Sequence, residues 1–466
     1  MYLESAARTF QGTGINITAD GRKHLGAVIG TEQYKKEYIG EKVQEWVGSM
    51  KILTTIAKTQ PQAAYCCFVK GFVHKFTYFM RTIPNISELL YPLDAAIDCF
   101  IKAVFDDYEF SPLERKLWSL PVRMGGMGLP VPSEISNVQY QNSRIINAKL
   151  TAKVCAQQKE YEDISAEVNK AKREATLRKN ERYDSDLQEI LTQLGSSDKA
   201  KALEAAREKG ASNWLNALPL RTQGYALDKQ SFRDAIFTRY GIALKRLPSH
   251  CVCGEPFSVE HALNCKKGGF ISWRHNDVRK ITADLLREVC IDVEEEPLLL
   301  EITGEVFRSK TAKVEKDARL DISARGFWMR GQKVFCDVRV FNPLTKCHRT
   351  KTLAKVHELN EKEKKVKYAA RVVDVENGSF TPLVFSCFGG MSRECGLFYK
   401  RLSEKLAEKR NMPTSEATCY IRTKISFSLI KAVVLCIRGS RGSRDKPCPV
   451  SEVDIPLTNE ISGARK

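Results

Sequence analysis

The chain has no run of about 18 or more apolar side chains, so no segment reads as crossing a bilayer. No charged-then-apolar segment opens it, which argues against a secretory leader. Acid is in short supply: 56 Asp plus Glu stand against 74 Lys plus Arg, a formal charge of +18. Such an excess favours a polyanionic partner, because each neutralised phosphate releases counterions; simple solubility is the plainer reading. The 15 cysteines are odd in number and mostly sit singly in apolar stretches, such as Tyr65-Cys66-Cys67-Phe68 and Val434-Leu435-Cys436-Ile437. They read as small buried hydrophobes of a reducing compartment rather than a disulfide framework. With 43% apolar and 9% aromatic residues among 466, disorder is not the default, and about three units are expected at roughly 150 residues each.

Along the chain, Gly14 to Gly30 reads as two short strands around the turn Ala19-Asp20-Gly21. From Lys42 to Met80 the pattern turns helical, with Tyr65, Phe68, Phe72, Phe76 and Phe79 spaced by three or four. That stripe reads first as core; the interleaved Lys70, Lys75 and Arg81 leave a nucleic-acid-tracking surface as the alternative. The Gly/Pro stretch Leu120 to Pro132 reads as a hinge or boundary and lacks the G-x-G-x-x-G order of a dinucleotide site. From about Arg144 to Lys209 the composition suits long solvated helices without chemistry, and Trp214-Leu215 and Phe232 to Leu247 suggest a small packed helical unit.

Cys251, Cys253, His261 and Cys265 give the spacing C-x-C-x7-H-x3-C, with Gly254 and Pro256 available for a tight turn. Three thiolates and an imidazole suit a closed tetrahedral zinc site, and so short a stretch needs metal to fold. Two buried cysteines and a surface histidine are the plain alternative. His261 and Cys265 lie four apart, within one helical turn.

Downstream lies Arg274-His275-Asn276, opening a helix whose Val278, Ile281, Leu285 and Val289 share a face. Arg319 to Phe341 then reads as two strands around Met329-Arg330-Gly331-Gln332, with Asp321 on the first and Asp337 on the second. Period two puts Asp337 and Arg339 on one face and Val334, Val338 and Val340 on the other. Such a hairpin can hold both carboxylates near one divalent cation such as Mg2+, and a cation nearby could stabilise charge developing on a phosphate. Candidates are Arg339 and Lys364 or Lys365, of which Lys365 lies three residues from Tyr368. Exposed carboxylates at strand ends are common without function.

The run from Cys251 through Arg274-His275-Asn276, Leu320-Asp321-Ile322, Asp337-Val338-Arg339-Val340 and Lys365-Val366-Lys367-Tyr368 resembles the carboxy-terminal half of non-LTR retrotransposon proteins that carry a restriction-like endonuclease. The resemblance spans about residues 245 to 440. It implies a zinc-binding CCHC knuckle at Cys251, Cys253, His261 and Cys265, and a PD-(D/E)XK-type nuclease core. Asp321 and Asp337 would hold Mg2+, and Lys365 would be a displaced catalytic lysine, with Lys364 as the register alternative. A further acidic residue from a helix before the hairpin would be Glu305, with Glu301 as rival, and Arg274, His275 and Arg339 would contact nucleic acid. Leu320 stands where the family has proline, and Arg339 where a simple enzyme of this type keeps its lysine.

Residues 10 to 132 are similar, less specifically, to the end of a reverse transcriptase, from His24-Leu25-Gly26 through a helical thumb to the Gly-rich loop. The aromatic-x-Asp-Asp signature is missing before Leu25-Gly26, and Asp106-Asp107 more plausibly ends a thumb helix, so no polymerase activity is expected and the chain looks like a truncated element. The expected fold class is multidomain α+β: a palm end and thumb (1-140), a charged helical linker (141-245), a zinc knuckle (246-275), an α/β nuclease (276-440) and a basic tail (441-466). Target DNA and possibly element RNA are the expected partners, and the nucleus the expected location. A catalytically inactive nucleic-acid-binding relic and a knuckle-based adaptor are the alternatives.

Overall fold

Apolar residues at three- and four-residue spacing dominate the first third of the chain, and in the computed structural model they form helices. The structure describes residues 2–15, 17–157, 163–307 and 313–441; the basic tail, apart from Arg441, lies outside them. The chain divides into two units, one made of residues 1–121 and 126–193, the other of 122–125 and 194–466. The chain passes from one unit to the other within the Gly/Pro loop and again between Gln193 and Leu194.

The first unit begins with α1 (Tyr2–Thr9) and a hairpin of β1 (Gly21–His24) and β2 (Ala27–Gly30). The hairpin turns at Leu25-Gly26, not at Ala19-Asp20-Gly21, because Leu25 and Gly26 take the left-handed conformation, at φ 48° and 78°. Tyr38 Oη donates to the Gly26 carbonyl at 2.9 Å, and Tyr78 Oη to that of Leu25, which fixes a turn unusual for leucine. Then follow α2 (Glu32–Thr59), α3 (Pro61–Cys67), a π turn over Phe68–Phe72, and α4 (Val73–Thr82). Tyr65, Phe68, Phe72 and Phe76 are buried, so the aromatic stripe is core. α5 (Tyr91–Val104) is followed by Asp106 and Asp107 in left-handed turn conformation, as expected of a helix end. After α6 (Pro112–Ser119), the long α7 (Pro132–Cys155) and α8 (Ser165–Leu194) are largely solvated.

The second unit opens with α9 (Asp198–Arg207), α10 (Asn213–Asn216) and α11 (Lys229–Arg239), whose Leu203, Trp214, Phe232 and Ile236 are buried. Trp214, Phe232 and Ile236 form the expected packed unit, whereas Leu203 shows that the end of the stretch read as solvated helix is core. The Cys/His segment surrounds α12 (Val259–Ala262) and is followed by α13 (Phe270–Val289), β3 (Ile291–Glu295), β4 (Ile322–Arg325), β5 (Lys333–Phe341), α14 (Leu353–Asp374), β6 (Ser379–Ser386), α15 (Arg393–Arg410) and α16 (Thr414–Arg438). The sheet order is β3-β4-β5-β6, antiparallel except for β5 with β6. Both faces are covered, as the parallel pairing of β5 with the edge strand β6 requires. Ile322, Ala324, Val334, Cys336, Val338, Leu383 and Phe385 pack with residues of α13, α15 and α16, while Phe335 packs with Tyr368 and Val372, and Phe341 with Val356. The fold is α+β, with predominant helix and small sheets.

Candidate functional site

α14 runs antiparallel to β5 across the face that carries Phe335, Asp337, Arg339 and Phe341. Two strand residues advance about 6.6 Å and four helix residues about 6.0 Å, so the two periods stay in step. Phe335 accordingly meets Tyr368 and Val372, Asp337 meets Lys364, Arg339 meets Asn360, and Phe341 meets Val356. Lys364 Nζ lies 2.6 Å from Asp337 Oδ2, and Arg339 Nε donates to Asn360 Oδ1 at 3.3 Å. Lys365 points elsewhere and pairs with Glu394 on α15. The structure thus brings Lys364, the register alternative, to the aspartate instead of Lys365.

Asp321 immediately precedes β4, and its amide donates to the Cys336 carbonyl at 3.1 Å. Beyond that point β5 has lost its neighbour on this side, and side chains take over. Asp321 Oδ2 accepts from the Val338 amide at 2.6 Å, while His275 Nε2 lies 3.1 Å from both Asp321 Oδ2 and the Val338 carbonyl. Both of those oxygens are acceptors, so Nε2 carries the proton. Asp321 and His275 therefore complete the hydrogen bonding of a buried strand end.

Burial, at 6% exposure, pushes the Asp337 carboxyl upward; Lys364 pulls it back, Asp321 adds to the rise, and the net direction is up. Burial lowers His275, but the hydrogen bond and charge of Asp321 outweigh it and the net direction is also up. The Tyr368 phenol is pushed up to about 12 by burial and by the charges of Asp337 and Asp321. A buried carboxylate, a half-buried one, a lysine and an imidazole thus share one end of the sheet.

Other expected residues fall outside this arrangement. Glu305 accepts from the Thr303 amide and hydroxyl at 2.7 and 3.2 Å, and Glu301 lies 4.0 Å from Lys316. Neither is on a helix: the segment between β3 and β4 contains none among its described residues, so the expected helical position for a third carboxylate does not exist there. Arg274 is 2% exposed and donates to the carbonyls of Leu263 and Val340, so it is not a surface phosphate contact. Only Arg339 of the three expected nucleic-acid contacts is exposed.

The cysteine and histidine side chains converge as the spacing predicts. Gly254, at φ 91°, donates its amide to the Cys251 carbonyl at 2.9 Å and closes the turn between the first ligand pair and the rest. Ser258 caps α12 by accepting from the His261 amide at 3.1 Å, and the Cys265 amide donates to the His261 carbonyl at 2.8 Å. The four ligand atoms lie within 4.8 Å of one another. Sulfur–sulfur separations are 3.7 Å for Cys251–Cys265 and 3.9 Å for Cys253–Cys265, with 3.3 Å from Cys253 Sγ to His261 Nε2. A tetrahedral ion with metal–sulfur bonds of about 2.3 Å demands edges of about 3.8 Å, so the residues fit a metal ion, and their chemistry is compatible with structural zinc. Burial raises the Cys251 thiol, but hydrogen bonds from the Cys253 amide, His261 and the neighbouring thiols outweigh it and bring it down to about 6. This is the one such cluster of His, Cys, Asp or Glu among the described residues; Asp321, Asp337 and His275 do not close into another. Compared with models of known protein families and with curated proteins, the chain matches none.

Proposed function

We propose that the second unit is a metal-dependent DNA endonuclease of the restriction-like type carried by non-LTR retrotransposon proteins. The observation that carries the reading is the Lys364–Asp337 contact of 2.6 Å beside Asp321, which leads into the adjoining strand. Asp321 and Asp337 would hold Mg2+, which when bound polarises the scissile phosphate and helps ionise a water. Lys364 takes the role that the resemblance gave to Lys365: its ammonium stabilises charge developing on the phosphate. His275 orients Asp321 through the 3.1 Å contact. Arg339, exposed on the same strand, contacts the DNA backbone, and Cys251, Cys253, His261 and Cys265 hold structural zinc. The nick would serve integration in the nucleus, with target DNA and element RNA as partners.

One observation favours a second reading, a nucleic-acid-binding relic without catalysis. Each carboxylate already has a cationic or proton-donating partner, Lys364 for Asp337 and His275 for Asp321, which an entering ion must displace. Plasmid nicking by the full chain with zinc bound and Mg2+ added separates the two. Nicking that disappears in Asp337→Asn supports the enzyme; salt-sensitive DNA binding without nicking supports the relic.

A further inference from the structure

Arg274 is a buried guanidinium with no carboxylate partner among the described residues, an arrangement that is costly unless its donors are used well. Its Nη1 donates to the carbonyl of Leu263 at 3.5 Å, between the ligands His261 and Cys265, and its Nη2 to that of Val340 on β5 at 3.4 Å. The next residue, His275, holds Asp321 Oδ2 and the Val338 carbonyl, on the same edge of the same strand. One helical turn is therefore pinned between the Cys/His segment and the strand end that carries the two aspartates. A second set of bonds backs the first. The Asn342 amide group donates to the Glu260 carbonyl at 3.3 Å, the Lys346 amide to Glu260 Oε1 at 2.9 Å, and Asn264 Nδ2 to Thr345 Oγ1 at 3.0 Å.

We infer that Arg274 is a positioning residue which transmits the state of the Cys251, Cys253, His261 and Cys265 cluster to the placement of His275 against Asp321. Between Cys251 and Cys265, only Ala262 and Leu263 add apolar side chains to the core, so the segment depends on its metal for order. Without the ion the Leu263 carbonyl moves, Arg274 loses one of two acceptors while still buried, and the first turn of α13 shifts with His275 on it. The consequence for catalysis rests on the endonuclease reading; the coupling itself does not.

The test uses full-length protein with 15N-labelled histidine, in which the His275 imidazole signal is assigned by its disappearance in His275→Gln. Removing zinc with a chelator is expected to shift the His275 Nε2 resonance, and adding Zn2+ back to restore it. Arg274→Lys, which keeps the charge but loses the fork, should reproduce the shift with zinc still bound, while His24 and His74 in the other unit stay put. In nicking assays the same variant should lower kcat roughly tenfold at unchanged KM. The chelation arm needs no variant, so it decides the matter even if Arg274→Lys does not fold. An unmoved His275 signal on zinc removal overturns the coupling, whether or not the protein nicks DNA. A shifted signal in a protein that never nicks upholds the coupling and overturns the endonuclease reading instead.

Discussion

Lys364 and Lys365 are adjacent in sequence and turn to different partners, Asp337 and Glu394. Val356, Asn360, Lys364, Tyr368 and Val372 recur every four residues and form the face of α14 turned to the sheet, whereas Lys365 pairs with Glu394. Replacing Lys364 with Ala should reduce nicking about a hundredfold or more, the scale of losing one preorganised charge stabiliser, while Lys365→Ala should stay within a few-fold. Rates reversed between the two variants would return the role to Lys365. The distinction was legible in the sequence, because Tyr368 and Val372 are the apolar members of that stripe and a four-residue step back from Tyr368 reaches Lys364. The three-residue step to Lys365 competes with it only as long as the partner strand is unknown. What Arg274 and His275 do was not legible, since a basic triplet has the same composition whether it meets phosphates or main-chain carbonyls. His275 also carries a pH signature. Its folded pKa lies above the ordinary 6.5, so the stability it contributes with Asp321 is fully present below about that pH and is lost as pH rises through the folded value. The difference in urea midpoint between the wild type and His275→Gln should accordingly be largest at mildly acid pH and shrink above neutrality. A pH-independent difference would mean that the Asp321 contact does not govern the titration.

At the scale of elements, the hairpin that carries the aspartates and the helix after the Cys/His cluster both followed from periodicity, because each has an apolar face that must be covered. The amino-terminal hairpin was misplaced because Asp20-Gly21 has the composition of a turn, whereas Leu25 is held at positive φ by tyrosines from α2 and α4, a tertiary cause invisible locally. The loop after α6 shows how demanding such turns are. A Cβ on Gly126 would sit 2.0 Å from the Leu120 carbonyl oxygen, backbone that cannot step aside. Gly126→Ala should cost about 2–4 kcal/mol of stability by urea unfolding. At Gly128 a Cβ meets nothing within 4 Å and only its φ of 68° opposes a side chain, so alanine there should cost about 1 kcal/mol. Equal costs would contradict the clash. The Cys/His segment makes a different prediction: Cys265→Ser should abolish stoichiometric zinc and expose the amides of 251–265 to hydrogen exchange, while those of β5 and β6 remain protected. Retained zinc at one equivalent would show that the ion is held by other ligands.

For the whole molecule, the formal charge of +18 is the property that a nucleic-acid partner would use. If phosphates are bound, log affinity for duplex DNA falls linearly with log salt, by about 0.9 per phosphate contact, and Arg339→Gln should reduce the slope by about one. An affinity indifferent to salt would point to the adaptor alternative. Charge and length were read from composition, but the division at Gln193 and Leu194 was not, because the same solvated, Lys- and Glu-rich composition runs on both sides of it. The central claim concerns Asp337, buried against Lys364 beside Asp321. It is tested most directly by nicking of supercoiled plasmid by the full chain with Mg2+, wild type against Asp337→Asn, with DNA binding measured in parallel. The account predicts nicking by the wild type that is lost in the variant at undiminished binding; equal nicking by both, or none by either, would contradict it.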